Sequence, residues 1–325
     1  MRDAFQAIPN RYRWTVKLNQ LRDIVAVAER GSLRAAARHL DLAQPALTRS
    51  VRDLERELGA PLFERRARGM VLTPMGAAFV RRANAVLSEV RRAREEVEQL
   101  HGGTRGEVVA GLSMVALIAL LPKALSLFRA RYPNVQLHLI EGWYPTLENA
   151  LKDGSMDFYV GPEPVQLPPS DLVQELLFEN VRIVLGRKGH PLGGARSLSQ
   201  LIDAEWATTS VTFKAEEEFS ELFSRFDLPA PKLALRSQSA LTLMSSLAAS
   251  DLLAMVPIQW IQSPWVGDQL ARISVRETLR APSIVTIRRA GLPLTPAAEY
   301  LLDLMRRNVP GAVKQARKER GGKAR

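Results

Sequence analysis

Gln44, Thr48, Arg49 and Arg52 are spaced so that a helix starting near Pro45 carries them together on one side. These side-chain types hydrogen-bond base edges and phosphates in a DNA major groove. The other side of the same stretch holds Leu47, Val51, Leu54 and Leu58, spaced 4, 3 and 4 apart, a stripe that must be buried. Further on, Arg65, Arg66 and Arg68 crowd the approach to Gly69, where a hairpin would turn. A guanidinium at a hairpin tip suits a phosphate backbone, which needs charge and no particular base. A small helical core with a solvated charged surface would use the same residues, so the motif alone leaves both readings open.

A second group of chemically capable residues follows short apolar runs later in the chain. Ser113-Met114, Trp143-Tyr144-Pro145-Thr146, Thr208-Thr209-Ser210-Val211-Thr212-Phe213 and Ser237-Gln238-Ser239 each combine hydroxyls or aromatic surface with the start of a helical stretch. In open α/β sheets ligands sit beyond the carboxyl ends of strands, where helix N-termini aim N–H groups at an anion. As a set, Ser113, Met114, Trp143, Tyr144, Thr146, Thr209, Ser210, Phe213 and Ser239 suit a small organic acid, with Trp143, Tyr144 and Phe213 able to stack on a flat ring. Helix capping and core packing explain each one equally well when taken singly.

The elements that must position the first group can be drawn from residues 31–76. Ser32 caps a first helix running to about Leu40, whose apolar face is Leu33, Ala36, Ala37 and Leu40. Asp41 to Ala43 can only be a turn, and Pro45 suits the first turn of the next helix, which stops at Gly59. Leu62 and Phe63 then pack under the helices ahead of the basic hairpin.

From Leu18 the chain resembles the LysR-type transcriptional regulators. The resemblance rests on Ala35-Ala36-Ala37, Gln44-Pro45-Ala46-Leu47, Leu54-Glu55, Leu58-Gly59, Leu62-Phe63-Glu64-Arg65 and Leu72-Thr73, in the family's order and spacing. It implies a winged helix-turn-helix that binds double-stranded DNA through Arg34, Gln44, Pro45, Thr48, Arg49, Arg52, Arg66 and Arg68. One departure stands out: the family places a serine before the Gln-Pro pair, and this chain has Ala43, which lacks a side-chain cap. The overall pattern of the second module, including the closing LPLTPAAEYL, resembles family members that regulate sulfonated-aromatic or galactose-uptake pathways.

Charge is distributed in a way that fits two kinds of module. The 325 residues are 46% hydrophobic and 24% charged, ordinary globular material for two or three domains. The net charge of +11 divides into +7 over residues 1–101, −3 over 102–305 and +7 over 306–325. A basic N-terminal module joined to a mildly acidic one is the simplest account. There is no cysteine, which excludes disulfides and thiolate sites, and His39, His101, His138 and His190 are too dispersed for a metal. The start of the chain lacks a signal-peptide core, and the longest apolar run, Val108 to Pro122, is broken by Gly111 and Ser113. A cytoplasmic protein with no membrane partner, no metal and no cofactor beyond its effector is expected.

Between the two modules, Phe79, Ala83, Val86, Val90, Ala93, Val97 and Leu100 alternate spacings of 4 and 3. This is a heptad seam, flanked by Arg81, Arg82, Arg91, Arg92, Arg94 and by glutamates. A helix from a second copy would bury it, as would the chain's own effector domain. The resemblance favours a homodimer joined through Phe79, Val86, Val90, Ala93, Val97 and Leu100, assembling further to a homotetramer, with RNA polymerase as a further partner.

The expected fold class is α/β with an N-terminal all-α winged helix-turn-helix domain. The effector domain is expected to comprise two Rossmann-like, periplasmic-binding-protein-like α/β subdomains. The expected boundaries are a disordered extension over 1–17, the DNA-binding domain 18–76, a linker helix 77–101, a hinge 102–107, the effector domain 108–308 and a disordered basic tail 309–325. Subdomain I takes about 108–163 and 276–308, and subdomain II about 164–275. Within them, Val108 to Leu112 should lead to one helix from about Ala116 to Tyr132, and Val181 to Leu185 and Ile284 to Ile287 should be strands.

Two other functions compete with a ligand-responsive DNA-binding regulator. An enzyme acting on a small organic acid with a fused DNA module would need a catalytic motif. The chain has no G-x-S-x-G, since Gly111-Leu112-Ser113 runs into Met114 and Val115, and no H-E-x-x-H or phosphate-cradling glycine loop. Glu216, Glu217 and Glu218 suit a solvated helix face. A transport solute-binding protein would leave residues 31–76 unexplained.

Overall fold

Ser32 does what its position demands: its hydroxyl accepts from the Ala35 amide at 3.1 Å and starts helix α2 (Leu33–His39), after α1 (Leu18–Arg30) has ended at Gly31 with φ 65°. Asp41 takes a left-handed turn with φ 53°, which a short polar side chain tolerates. Helix α3 (Gln44–Leu58) then opens with Pro45 in its first turn and closes on Gly59 at φ 65°. Ala43 leaves its N-terminus without a side-chain cap. Strands β1 (Phe63–Arg66) and β2 (Gly69–Leu72) pair as an antiparallel hairpin, and the long helix α4 (Pro74–Leu100) follows.

The computed structural model describes residues 16–66, 69–209, 215–262 and 268–309. Most of the expected N-terminal extension and basic tail, together with Arg68, Ser210 and Phe213, lie outside the described residues. The described residues form two units: one holds those up to Glu95 with Lys152–Ser155, the other Glu96–Leu151 and those from Met156 onward.

In the first unit, Ile24, Val27, Ala36, Ala37, Leu47, Val51, Leu54, Leu62 and Phe63 form the core. Phe79 packs against that core, and Ala83 is buried with Leu21 and Val25. The expected seam on α4 therefore divides. Its first turns belong to the chain's own DNA-binding module, whereas Val86, Val97 and Leu100 are 45%, 58% and 72% exposed. Arg92, expected only as a flank of the seam, is buried. It donates to the Gly154 carbonyl at 2.6 Å and pairs with Glu89 at 2.8 Å, joining α4 to Lys152–Ser155 of the same unit.

The second unit is built on one mixed sheet of β3 (Arg105–Leu112), β4 (Asn134–Glu141), β5 (Phe158–Pro162), β6 (Leu172–Arg187), β7 (Glu205–Thr208), β8 (Lys232–Arg236), β9 (Leu253–Pro257), β10 (Leu270–Ile273) and β11 (Arg280–Arg289). Their order is β4-β3-β5-β11-β6-β9-β7-β8, with β10 also on β6. β6 is three times the length expected from Val181 to Leu185. Its first half pairs with β11 and its second half with β9 and β10, so it is a member of both half-sheets.

Two further expectations change. The single helix from Ala116 to Tyr132 is two, α5 (Met114–Ala119) and α6 (Leu121–Arg131), because Pro122 has no N–H to continue the first ladder and instead opens the second helix. Strand β3 starts at Arg105, in parallel register with Asn134, so the expected hinge over 102–107 contracts to the glycine turn before it. Helices α7 (Tyr144–Lys152), α8 (Ala215–Ser224), α9 (Ala240–Ala249) and α10 (Pro296–Arg307) complete the unit.

Separate cores lie on the two faces of the first half-sheet. One combines Val108, Ala110, Leu112, Phe158 and Val160 with α5, α6 and α10; the other combines Val109, Tyr159, Val285 and Ile287 with Tyr144, Leu147 and Leu151 of α7. The second half-sheet builds its cores around Trp206, Phe219 and Phe223 and around Leu243, Leu247 and Trp260.

Candidate DNA-reading face and effector cleft

Helix α3 buries Leu47, Val51 and Leu54 and leaves Gln44, Pro45, Arg49 and Arg52 exposed. Thr48 is partly covered, and its hydroxyl donates to the Gln44 carbonyl at 2.9 Å, leaving only an acceptor for an incoming base or phosphate. Arg34, Arg49 and Arg52 make no ion pair among the described residues, in contrast to Arg22, Arg56 and Arg66, which pair with Asp23, Asp53 and Glu64. Exposed guanidiniums left without carboxylates are what a polyanion requires.

Three sets of hydrogen bonds fix the wing relative to the helices. The Glu55 carboxylate accepts from the Leu62 and Phe63 amides at 2.8 and 3.2 Å, Thr73 donates its hydroxyl to the Pro61 carbonyl at 2.7 Å, and the Met70 amide donates to Gly31 at 2.8 Å. Sequence reasoning gave Glu55 no role. Its partners lie beyond the helix end, and no local periodicity marks such a contact.

The cleft follows from strand direction. β3, β4 and β5 run parallel to one another, β5 is antiparallel to β11, and β11 is antiparallel to β6, so the first set runs with β6. β7, β8 and β9 run parallel, and β9 is antiparallel to β6, so the second set runs against it. Both sets therefore aim their carboxyl ends at the middle of β6. At that level Ile284 beside Pro162 pairs with Phe178, and Pro257 pairs with Arg182. Between these levels lies Asn180, buried, its Oδ1 accepting from Gln259 Nε2 at 2.9 Å. The Gln259 Oε1 is buried without a partner. Neither residue was visible as a candidate, because each is an isolated amide in a region without a motif.

The predicted effector residues fall around these ends. Ser113 caps α5, accepting from Ala116 at a long 3.5 Å, while its own amide donates to Val160 at 2.9 Å. Met114 packs on the second half-sheet's core, so α5 touches both halves. Trp143 is partly covered, and Thr146, exposed, donates its hydroxyl to the Trp143 carbonyl at 2.8 Å. Tyr144 is buried with its hydroxyl unpartnered, its pKa pushed up to about 12 by burial and by the Glu148 and Asp171 carboxylates. Thr209 is partly covered at the end of β7, and Ser239, exposed, caps α9 by accepting from Thr242 at 3.2 Å.

Two family models cover almost all of this arrangement. The bacterial regulatory helix-turn-helix protein, lysR family, matches residues 18–77, and the LysR substrate binding domain matches residues 101–310. The chain belongs to the LysR family. This LysR-type regulator is 30% identical to the SDS degradation transcriptional activation protein of a Pseudomonas species, over 89% of this chain and 95% of that one. It is 28% identical to the HTH-type transcriptional regulator GalR of Pseudomonas putida, over 88% of this chain and 72% of that protein. Among solved structures, full-length CbnR complexed with its target DNA superposes with a TM-score of 0.67 at 21% identity, covering 90% of this chain and all of that one. This LysR-type regulator thus joins a DNA-binding helix-turn-helix to an effector-binding domain of the family's fold. Among the described residues no helix is long and apolar enough to cross a membrane.

Proposed function

We propose that this LysR-type regulator binds an inverted-repeat promoter site as a dimer or tetramer and alters its hold on that site when a small anionic, aromatic organic acid enters the cleft at the middle of β6. The observation that supports the effector reading is the convergence of both sets of carboxyl ends on the middle of β6, with Ser113, Trp143 and Thr146, and Thr209 following the carboxyl ends of β3, β4 and β7. Hydroxyls and helix starts favour an anion, and Trp143 offers a ring face.

The dimer reading is supported by Val86, Val97 and Leu100, exposed along one helix whose buried residues Arg92 and Gln99 point elsewhere. An apolar row of this kind is stabilised by a second copy of itself, and a two-fold pair of recognition helices reads inverted half-sites. Arg49 and Arg52 would reach bases and Arg66 the backbone. The relatives' names are those of transcriptional regulators, which favours regulation over turnover of the acid. Footprinting of the full-length protein on DNA upstream of neighbouring operons, with and without added aromatic carboxylates, tests the proposal. Two protected half-sites whose pattern changes with one of the acids are expected; a single protected half-site indifferent to every acid would contradict it.

A further inference from the structure

Tyr159 is placed where a buried donor has no reason to be unless something else accepts from it. It sits at the centre of β5, 0% exposed, on the α7 face of the first half-sheet, its ring 6.2 Å from that of Tyr144. The side chain lies along its own strand toward the carboxyl end. It can do so only because residue 161 is glycine: a Cβ there would overlap the Tyr159 hydroxyl and meet the Ser113 Cβ at 2.9 Å. The hydroxyl thus ends beside Ser113 and the first residue of α7, whose Tyr144 amide approaches its oxygen. The O–H proton has no acceptor among the described residues. Phenylalanine would fill the same space without burying an unpaired donor, which destabilises a fold.

We infer that the Tyr159 hydroxyl is a specificity-determining group of the effector site, donating to an oxygen of a bound carboxylate or sulfonate at the first turn of α7 beside Ser113. The inference rests on the cleft reading above and adds to it the inner wall of the site. Two hydroxyl donors meet there, the Tyr159 O–H and that of Ser113, and an oxyanion has the lone pairs to receive them. Burial raises the Tyr159 pKa and outweighs the Tyr144 amide, which lowers it. The phenol therefore remains a neutral donor at neutral pH and does not repel an anion.

The test is Tyr159→Phe in the full-length chain, measured by thermal unfolding without ligand and by calorimetric titration with benzoate and benzenesulfonate, with benzamide as the uncharged control. Without ligand the variant should be at least as stable as wild type, because it loses an unpaired donor. Wild type should bind at least one anion and not benzamide, and the variant should bind that anion about tenfold or more weakly. Gly161→Ala, which pushes the hydroxyl aside, should weaken the same anion. Equal anion affinity in wild type and Tyr159→Phe would overturn the inference, as would a lower melting temperature of the ligand-free variant, which would mean the hydroxyl has an internal partner. If wild type binds neither anion, the cleft reading itself fails and the role of Tyr159 falls with it.

Discussion

The DNA-reading face and the effector cleft are built on opposite plans. Residues 32–72 assemble the first from neighbours in sequence: the cap, the turn, the recognition helix and the wing follow one another, and the functional side chains are exposed cations on the far side of a buried stripe. The proposed cleft draws on residues far apart in sequence, Ser113, Thr146 and Thr209 after separate strands and Asn180 bonded to Gln259, and it exists only through the run of β6 across both half-sheets. Many of its polar groups already cap helices or bond within the protein. A DNA phosphate can be met by charge from a solvated surface, whereas a small ligand must be enclosed, and enclosure needs distant strands.

That contrast can be broken most severely at α4. Val86→Glu or Val90→Glu should abolish pairing through the exposed row while leaving the helix-turn-helix core intact. Affinity for a two-half-site operator should fall about 10²- to 10⁴-fold, because two modules no longer bind as one. Sedimentation and anisotropy titrations check this together. Wild-type mass with full affinity in the glutamate variants would place the seam within the subunit.

On the DNA side, Arg49→Ala should cost about 1 to 3 kcal/mol on the cognate site and relax its sequence preference, while Arg66→Ala should weaken all DNA alike and lower the salt slope by about one unit. Thr48→Ala should cost toward the low end, since its hydroxyl proton is already held by Gln44. Equal losses on cognate and random DNA for Arg49→Ala would remove it from base reading. Glu55→Ala separates fold from contact. It leaves the Leu62 and Phe63 amides without their charged acceptor, so thermal unfolding should show a loss of about 1.5 to 3 kcal/mol.

How much of each region the sequence made legible follows from the same contrast. Helix periodicity, Ser32, Pro45 and Gly59 carried the winged module almost residue by residue, because each signal acts within one or two turns. In the second unit the short apolar strands were legible. The length of β6 was not, since Glu175 interrupts its apolar pattern and Glu179 and Asn180 break it again just before it changes partners. Tyr159 and Gln259 escaped for a related reason: a buried polar residue in an apolar run looks like core until its hydrogen bonds are traced. Gln99 is another such case. Buried at the end of α4, it accepts from Ala297 at 2.9 Å and donates to Arg105 at 3.1 Å, a contact no local pattern announces.

Smaller effects sharpen the effector side. Ser113→Ala and Thr146→Ala should weaken binding of a carboxylate or sulfonate ligand about tenfold or more while leaving ligand-free operator affinity nearly unchanged. The 3.5 Å cap at Ser113 is weak, so its loss should cost the fold little. Trp143 should report the same event: its emission should change on ligand addition, and Trp143→Phe should remove the change. Operator binding lost in both hydroxyl variants would make them structural caps.

The central claim is that the face bearing Arg49 and Arg52 reads sequence, and reads it twice. Sequencing the genomic fragments retained by the full-length protein tests it most directly, with the Arg49→Ala, Arg52→Ala double variant run beside wild type. Wild type should retain fragments sharing one inverted repeat. The double variant should lose that repeat yet keep salt-sensitive binding to unrelated DNA. Recovery of the same repeat by both proteins, or of no shared repeat by wild type, would contradict it.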